Sequence, residues 1–302
     1  MKFRLRYGLR TAGVIVTVAC FVLAYAANAR REYRNQHRTE LDALERIERG
    51  GGAAFYFPPQ AKLVASSGWQ SRLRGERHLA NISGVYLGTK CDHDVFAALG
   101  NLCGLDIRIA FLDGVNVPAE VFWSSLISLP KLDIVRIMRS TVNGQLSGHV
   151  EMPRTVRHVR MEDCTADKSV LIAISAIPNL QFLGLEGMAI DDEVFPNISR
   201  NSRIVALSFS RSNVTDEDVL QIAGMDMLEQ LRLNHTACSD AIIDRLLLMP
   251  HLKSVTTDGS QITEQGVQRL TDSGIETGVF VEELKTEGRA GCGSVDSSRA
   301  TE

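Results

Sequence analysis

The chain has 302 residues, with 33 basic and 36 acidic side chains, a net charge of −3 at pH 7 and 44% hydrophobic residues. That balance is ordinary for a globular protein, and it lacks both the basic excess and the aromatic interleaving of a nucleic-acid platform. The six cysteines show no CxxC pairing, which argues against a disulfide framework or a zinc module.

Residues 1–10 form a basic segment, with Lys2, Arg4, Arg6 and Arg10. Residues 11–29 then run 19 positions without a charge, close to the ~20 a membrane-spanning helix needs. This pattern predicts a transmembrane signal anchor. A cleavable signal peptide is the alternative, since Ala27-Asn28-Ala29 offers a small-x-small site, but the apolar run exceeds the ~7 to 15 residues of a signal-peptide core. Arg30, Arg31, Arg34 and Arg38 nearly balance the four cations ahead of the span, so loop charge does not set the orientation. Residues 30–81 read as a juxtamembrane helix and N-terminal cap: Leu41, Leu44 and Ile47 lie at helical spacing, Gly50-Gly51-Gly52 stops the helix, and Ala53-Ala54-Phe55-Tyr56-Phe57 suits a strand.

From residue 82 to residue 281 the phrase L-x-x-L-x-L returns every 24 or 25 residues. It stands as Ile82, Val85, Leu87; Ile107, Ala110, Leu112; Leu132, Val135, Ile137; Val156, Val159, Met161; Leu180, Leu183, Leu185; Ile204, Leu207, Phe209; Leu228, Leu231, Leu233; and Leu252, Val255, Thr257. A period of this length predicts stacked strand-plus-return units, none of which can bury its apolar face alone. The expected fold is therefore an α/β solenoid of about eight repeats.

The return segments keep the same phase. An aliphatic residue, a capping residue and an acid recur as Val214-Thr215-Asp216, Cys238-Ser239-Asp240, Ile262-Thr263-Glu264 and Ile190-Asp191-Asp192. A side-chain oxygen followed by carboxylates satisfies the free N–H groups and the dipole of a helix N-terminus, so each return is expected to be helical. Pro130, Pro178 and Pro250 end three of these helices before the next strand. The pattern loosens at Asp92 and at Gly144-Gln-Leu-Ser-Gly148, and residues 282–302 read as a disordered tail.

Few residues invite chemistry. Cys164 and Cys238 fall at core positions three repeats apart, roughly 14 Å at strand spacing, too far for a disulfide. Cys91-Asp92-His93-Asp94 with Cys103 is the one cluster of ligand types, and it carries a weaker reading as a metal or hydrolase site. Capping of a helix by Asp92 or His93 is the simpler reading, so no catalytic residue, metal or cofactor is assigned. Asn81, Asn197, Asn213 and Asn234 match the glycosylation sequon, which matters only in a eukaryotic secretory route.

The residues between the leucines point to the opposite, concave face of the sheet. There Tyr86, Ile109, Phe111, Ile134, Arg136, Met138, His158, Arg160, Phe182 and Arg232 form an apolar and aromatic cluster bordered by arginines, with Glu162 and Glu186 nearby. Aromatics and arginines are the residue types of binding hot spots, so a protein or peptide partner is expected on that face. Nucleic acid and small-molecule substrates are not expected.

The strand phrase with its helix start, as in Leu228-Glu-Gln-Leu-Arg-Leu-Asn-His-Thr-Ala-Cys-Ser-Asp, resembles the ribonuclease-inhibitor-like and cysteine-containing classes of leucine-rich repeat. Phe3-Arg-Leu-Arg, the apolar span, Asn28-Ala-Arg-Arg, the short helix and the glycine stop resemble membrane-anchored leucine-rich repeat proteins of planctomycete bacteria. Those relatives open the helix with Thr-Asp-Ala-Gly-Leu, whereas this chain has Thr215-Asp-Glu-Asp-Val, Ser239-Asp-Ala-Ile-Ile and Thr263-Glu-Gln-Gly-Val. The resemblance implies a non-enzymatic repeat domain tethered to a bacterial inner membrane and exported. A structural envelope component that acts through its flanks is the competing expectation.

Overall fold

The computed structural model describes residues 20–28, 31–32, 34–35, 37–55, 82–91, 93–146 and 153–278. The basic segment, positions 11–19 and 29 of the expected anchor, residues 56–81 of the expected cap with Tyr56 and Phe57 of its strand, Asp92, Gly148, Cys292 and the tail lie outside them. Residues 20–28 are helical, and among the described residues no helix is long and apolar enough to cross a membrane.

Each of the eight repeats contributes one strand to a single sheet, β2 (Gly84–Leu87), β3 (Ile109–Asp113), β5 (Ile134–Met138), β7 (His158–Glu162), β9 (Phe182–Glu186), β10 (Ala206–Ser208), β11 (Gln230–Arg232) and β12 (Ser254–Thr256), and β13 (Glu276–Thr277) follows the last of them. They lie side by side in chain order and pair in parallel, and β1 (Ala53–Phe55) adds antiparallel to β2. The register follows the ladder: Val85 pairs with Ala110, Ala110 with Val135, and so on through Val159, Leu183, Leu207 and Leu231 to Val255. All eight of these side chains are buried, each worth roughly 1.5–3 kcal/mol for a full-sized aliphatic group. The architecture is that of a leucine-rich repeat solenoid.

The return segments differ from the expected run of uniform helices. Regular α-helices occupy Ala119–Ile127, Lys168–Ser175, Asp216–Ile222 and Glu264–Asp272, whereas 3₁₀ turns at Asp192–Val194 and Asp240–Ile242 open the shorter helices Phe195–Arg200 and Ile243–Leu246. A 24-residue unit leaves room for only two or three turns after its strand, which favours tight 3₁₀ starts. The chain also forms a second small parallel sheet before three of the returns, from β4 (Asn116–Pro118), β6 (Thr141–Asn143) and β8 (Thr165–Ala166).

The capping residues act as the sequence predicts and also bind between repeats. Ser239 and Thr263 accept from the backbone N–H of Ala241 and Gly266. Their own N–H and hydroxyl groups donate to the acid of the preceding repeat: Ser239 to Asp216 at 2.7 and 2.6 Å, and Thr263 to Asp240 at 2.8 and 2.6 Å. Each acid therefore both complements its own helix dipole and fixes the next unit. At the N-terminal end the helix Arg38–Arg49 buries Ala43, Leu44 and Ile47, and together with β1 it covers the first rung.

Candidate functional site

On the face of the sheet opposite the returns, the parallel register arranges side chains in columns. One column runs Tyr86, Phe111, Arg136, Arg160, Gly184, Ser208, Arg232, Thr256, and its neighbour runs Gly84, Ile109, Ile134, His158, Phe182, Ala206, Gln230, Ser254. A third begins Asp113, Met138, Glu162, Glu186. Strands stand closer together than the bulky returns behind them, so this face is the concave one.

The ten residues expected there share the face but divide by depth. Tyr86, Phe111, Arg136, Met138, Arg160 and Arg232 are half-buried. Ile109, Ile134, His158 and Phe182, expected in an exposed cluster, retain only 2–7% exposure. Column neighbours one strand apart cover one another, and the His158 ring stacks on Phe182 with centroids 4.0 Å apart and planes 6° off parallel. Gly184 makes room at this point, because a Cβ there would approach Arg160 and the Phe182 ring at 3.1 Å. Phe55 of β1 shields the first rungs, its ring 5.6 Å from that of Phe111 and directly over Gly84.

A polar centre lies beside the aromatics. The Glu186 carboxylate, 4% exposed, accepts from Arg160 Nη2 at 2.8 Å and from the Ser208 hydroxyl at 2.5 Å, and Arg232 Nη1 stands 3.7 Å away. Arg211 reaches back to Glu162 at 3.0 Å, and Glu162 also lies 3.9 Å from Arg160. Near the first repeats Arg139 Nε donates to Asp113 at 2.9 Å while the Tyr86 hydroxyl donates to the same carboxylate at 3.4 Å. Burial and then the Asp113 charge push the Tyr86 phenol above its ordinary pKa, so it remains a donor at neutral pH.

A backbone feature of this rim has no apolar signal in the sequence. Two residues after the last position of the phrase, in seven of the eight repeats, the chain turns left-handed, at Gly114, Arg139, Asp163, Gly187, Arg211, His235 and Gly259, with φ from +47° to +69°. Each of the first six donates its N–H to a carbonyl of the next repeat, as Arg139 does to Glu162 at 2.8 Å and His235 to Asp258 at 2.7 Å. Glycine adopts this conformation freely, whereas other residues pay roughly 1–2 kcal/mol. Four repeats nevertheless carry a charged or aromatic side chain there, which lines the strand exits with Arg139, Asp163, Arg211 and His235. The glycines at the same offset in three other repeats, Gly114, Gly187 and Gly259, were the available sequence signal.

The remaining candidates take structural positions. Cys164 and Cys238 are buried thiols near the carbonyls of Ile137 and Val214, and burial pushes Cys238 up to about 11. Cys91 is buried and donates to the Gly50 carbonyl at 3.4 Å, whereas Cys103 is exposed. The His93 side chain lies outside the described residues. Asn213 and Asn234 serve the ladder: Asn213 bonds the N–H and carbonyl of Ile190, and Asn234 accepts from the Asp258 N–H.

No protein-family model and no curated protein matches the chain. Among solved structures it is similar to an internalin from Listeria monocytogenes, at 20% identity over 64% of this chain and 53% of that one, with a TM-score of 0.47. A Bacteroides fragilis protein is similar at 15% identity over 68% of each chain, with a TM-score of 0.48. Human 5T4, a trophoblast glycoprotein, is similar at 16% identity over 64% of this chain and 83% of that one, with a TM-score of 0.45. The matched part of this chain spans about half the length of the internalin chain, at 53%.

Proposed function

We propose that the chain is a leucine-rich repeat module tethered to a bacterial inner membrane, exported, and built to bind a protein or peptide partner on its concave sheet without catalysing a reaction. The observation that carries this is the composition of the middle column. Tyr86, Phe111, Arg136, Arg160 and Arg232 remain half-exposed on a rigid surface, and buried neighbours hold them in place. Rigid aromatics and clamped guanidiniums lose little side-chain entropy when a partner docks, which is why such residues dominate binding energies. Tethering is supported by the uncharged run 11–29, and by the exposed apolar side chains of Phe21, Leu23 and Tyr25 on the helical residues 20–28.

The test is a Phe111→Ala, Arg136→Ala double variant of the full chain, with folding checked by circular dichroism and partner co-purification from host membranes measured. Loss of the co-purifying protein with folding intact supports the proposal. Unchanged capture by a folded variant sinks it. A second reading, an envelope component acting through its flanks, is favoured by exposed Leu220, Met227 and Leu248 on the return side. It predicts that substitution of Leu220 and Leu248, and not of Phe111, releases the partner.

A further inference from the structure

At the strand starts, on the edge away from the left-handed turns, a groove of about 400 Å³ opens across four repeats. Its walls carry Arg108, Lys131, Arg154, Arg157 and Arg203 against a single carboxylate, Asp133. The lining is strongly cationic, on a chain whose net charge is −3. The acids present are already engaged. Asp133 takes both bonds of a bidentate pair with Arg157, at 2.8 and 2.7 Å. Asp106, just outside the groove, is shared by Arg108 at 3.2 Å and Lys131 at 3.6 Å, and the Arg108 hydrogen bond, foremost, holds its carboxyl below the usual range. Among the described residues no carboxylate pairs with Arg154 or Arg203, and both are exposed.

Stacking fixes the length of this cationic strip. Backbone bonds step from Arg108 to Asp133, Arg157, Gln181 and Val205, one strand each, and four steps at ~4.8 Å span about 19 Å. A lone phosphate covers a fraction of that, whereas an extended peptide at ~3.3 Å per residue covers it with about six residues. No aromatic side chain lines the groove, so it lacks the stacking surfaces that single-stranded nucleic acids require. Guanidinium forks match carboxylates two bonds at a time.

We infer that this edge groove binds an acidic peptide segment, extended across the strand starts, at a site separate from the concave face. Occupying it offsets the mutual repulsion of a cation cluster in which Arg154 and Arg203 have no paired carboxylate among the described residues, and the attraction is screened by salt.

The probe is a fluorescent hexaglutamate peptide, titrated by anisotropy into the full chain in detergent at low salt. Binding to the unmodified protein is expected to weaken at least tenfold in an R154E, R203E double variant. It should stay within twofold in Arg269→Glu, a charge change on the return side, and in the Phe111→Ala, Arg136→Ala protein. The last control keeps the outcome separate from the fate of the concave-face proposal. Equal affinity in R154E, R203E and unmodified protein overturns the inference. So does binding of heparin without binding of the peptide, and so does full displacement of the peptide by inorganic phosphate at low millimolar concentration, which would mark a single-anion site.

Discussion

Replacing Glu186 with glutamine tests whether the polar centre of the concave face is a structural clamp. The carboxylate is 4% exposed and joins Arg160, Ser208 and Arg232. Neutralising it removes the carboxylate shared by two guanidiniums, with side-chain exposures of 17% and 21%, and leaves Glu162, 3.9 Å from Arg160, as the nearer remaining counter-charge. Removing one partner of a buried pair costs about 3–5 kcal/mol. The arginines keep some contact with water, so solvent screening places the expected loss at the lower end, about 3 kcal/mol. At 2–4 °C per kcal/mol for a domain of this size, that is a fall in melting temperature of roughly 6–12 °C. The assay is thermal unfolding followed by circular dichroism, with Arg269→Ala as an exposed-pair control, since Arg269 pairs with an Asp244 that is 83% exposed. A fall for Glu186→Gln no larger than the control's would refute the clamp and leave Arg160 and Arg232 without a fixed geometry for a partner.

Other consequences follow from the same geometry. Gly259→Ala places a Cβ 2.1 Å from the His235 ring at φ +69°; it is expected to cost more than the ~1–2 kcal/mol of the backbone conformation alone, and His235→Gly in the same chain should return the steric part, read as denaturant midpoints. Native-state labelling with iodoacetamide at pH 8, mapped by mass spectrometry, should modify exposed Cys103 while Cys164 and Cys238 stay protected, the latter with its thiol pushed to about 11; prompt labelling of Cys238 would contradict its place in the core. The Asp240 carboxyl is held below its ordinary 3.8, chiefly by the Thr263 hydroxyl, so its contribution is present above that value and is lost as pH falls through the lower folded-state value. Stability curves of Asp240→Asn and unmodified protein should therefore converge in that acid window, and a constant gap from pH 7 downward would refute the assignment.

The leucine ladder was legible because burial repeats every 24 residues, and periodic burial is what an apolar pattern reports. The capping positions Thr215, Ser239 and Thr263 were legible for a related reason, since helix starts need a small set of side chains. The second task of Asp216 and Asp240, holding the next repeat, was hidden because it depends on the stacking distance and not on local chemistry. The same holds for Glu186, which meets Arg160 one repeat before it, Ser208 one repeat after and Arg232 two repeats after. Side-chain depth on the concave face was also hidden: Phe111 and Phe182 occupy adjacent columns in similar phrases, yet Phe182 is buried under its stacked His158. The edge groove joins Lys131, Arg154 and Arg203, each unremarkable in its own repeat, and only the stack brings them together.

The most direct measurement is site-specific photo-crosslinking in the native membrane, with a photoreactive side chain at position 111 on the concave face or at position 220 on the return side. A discrete crosslinked product from 111 and none from 220 is the predicted result. Products from 220 alone would contradict a partner on the concave sheet and move the interaction to the flank.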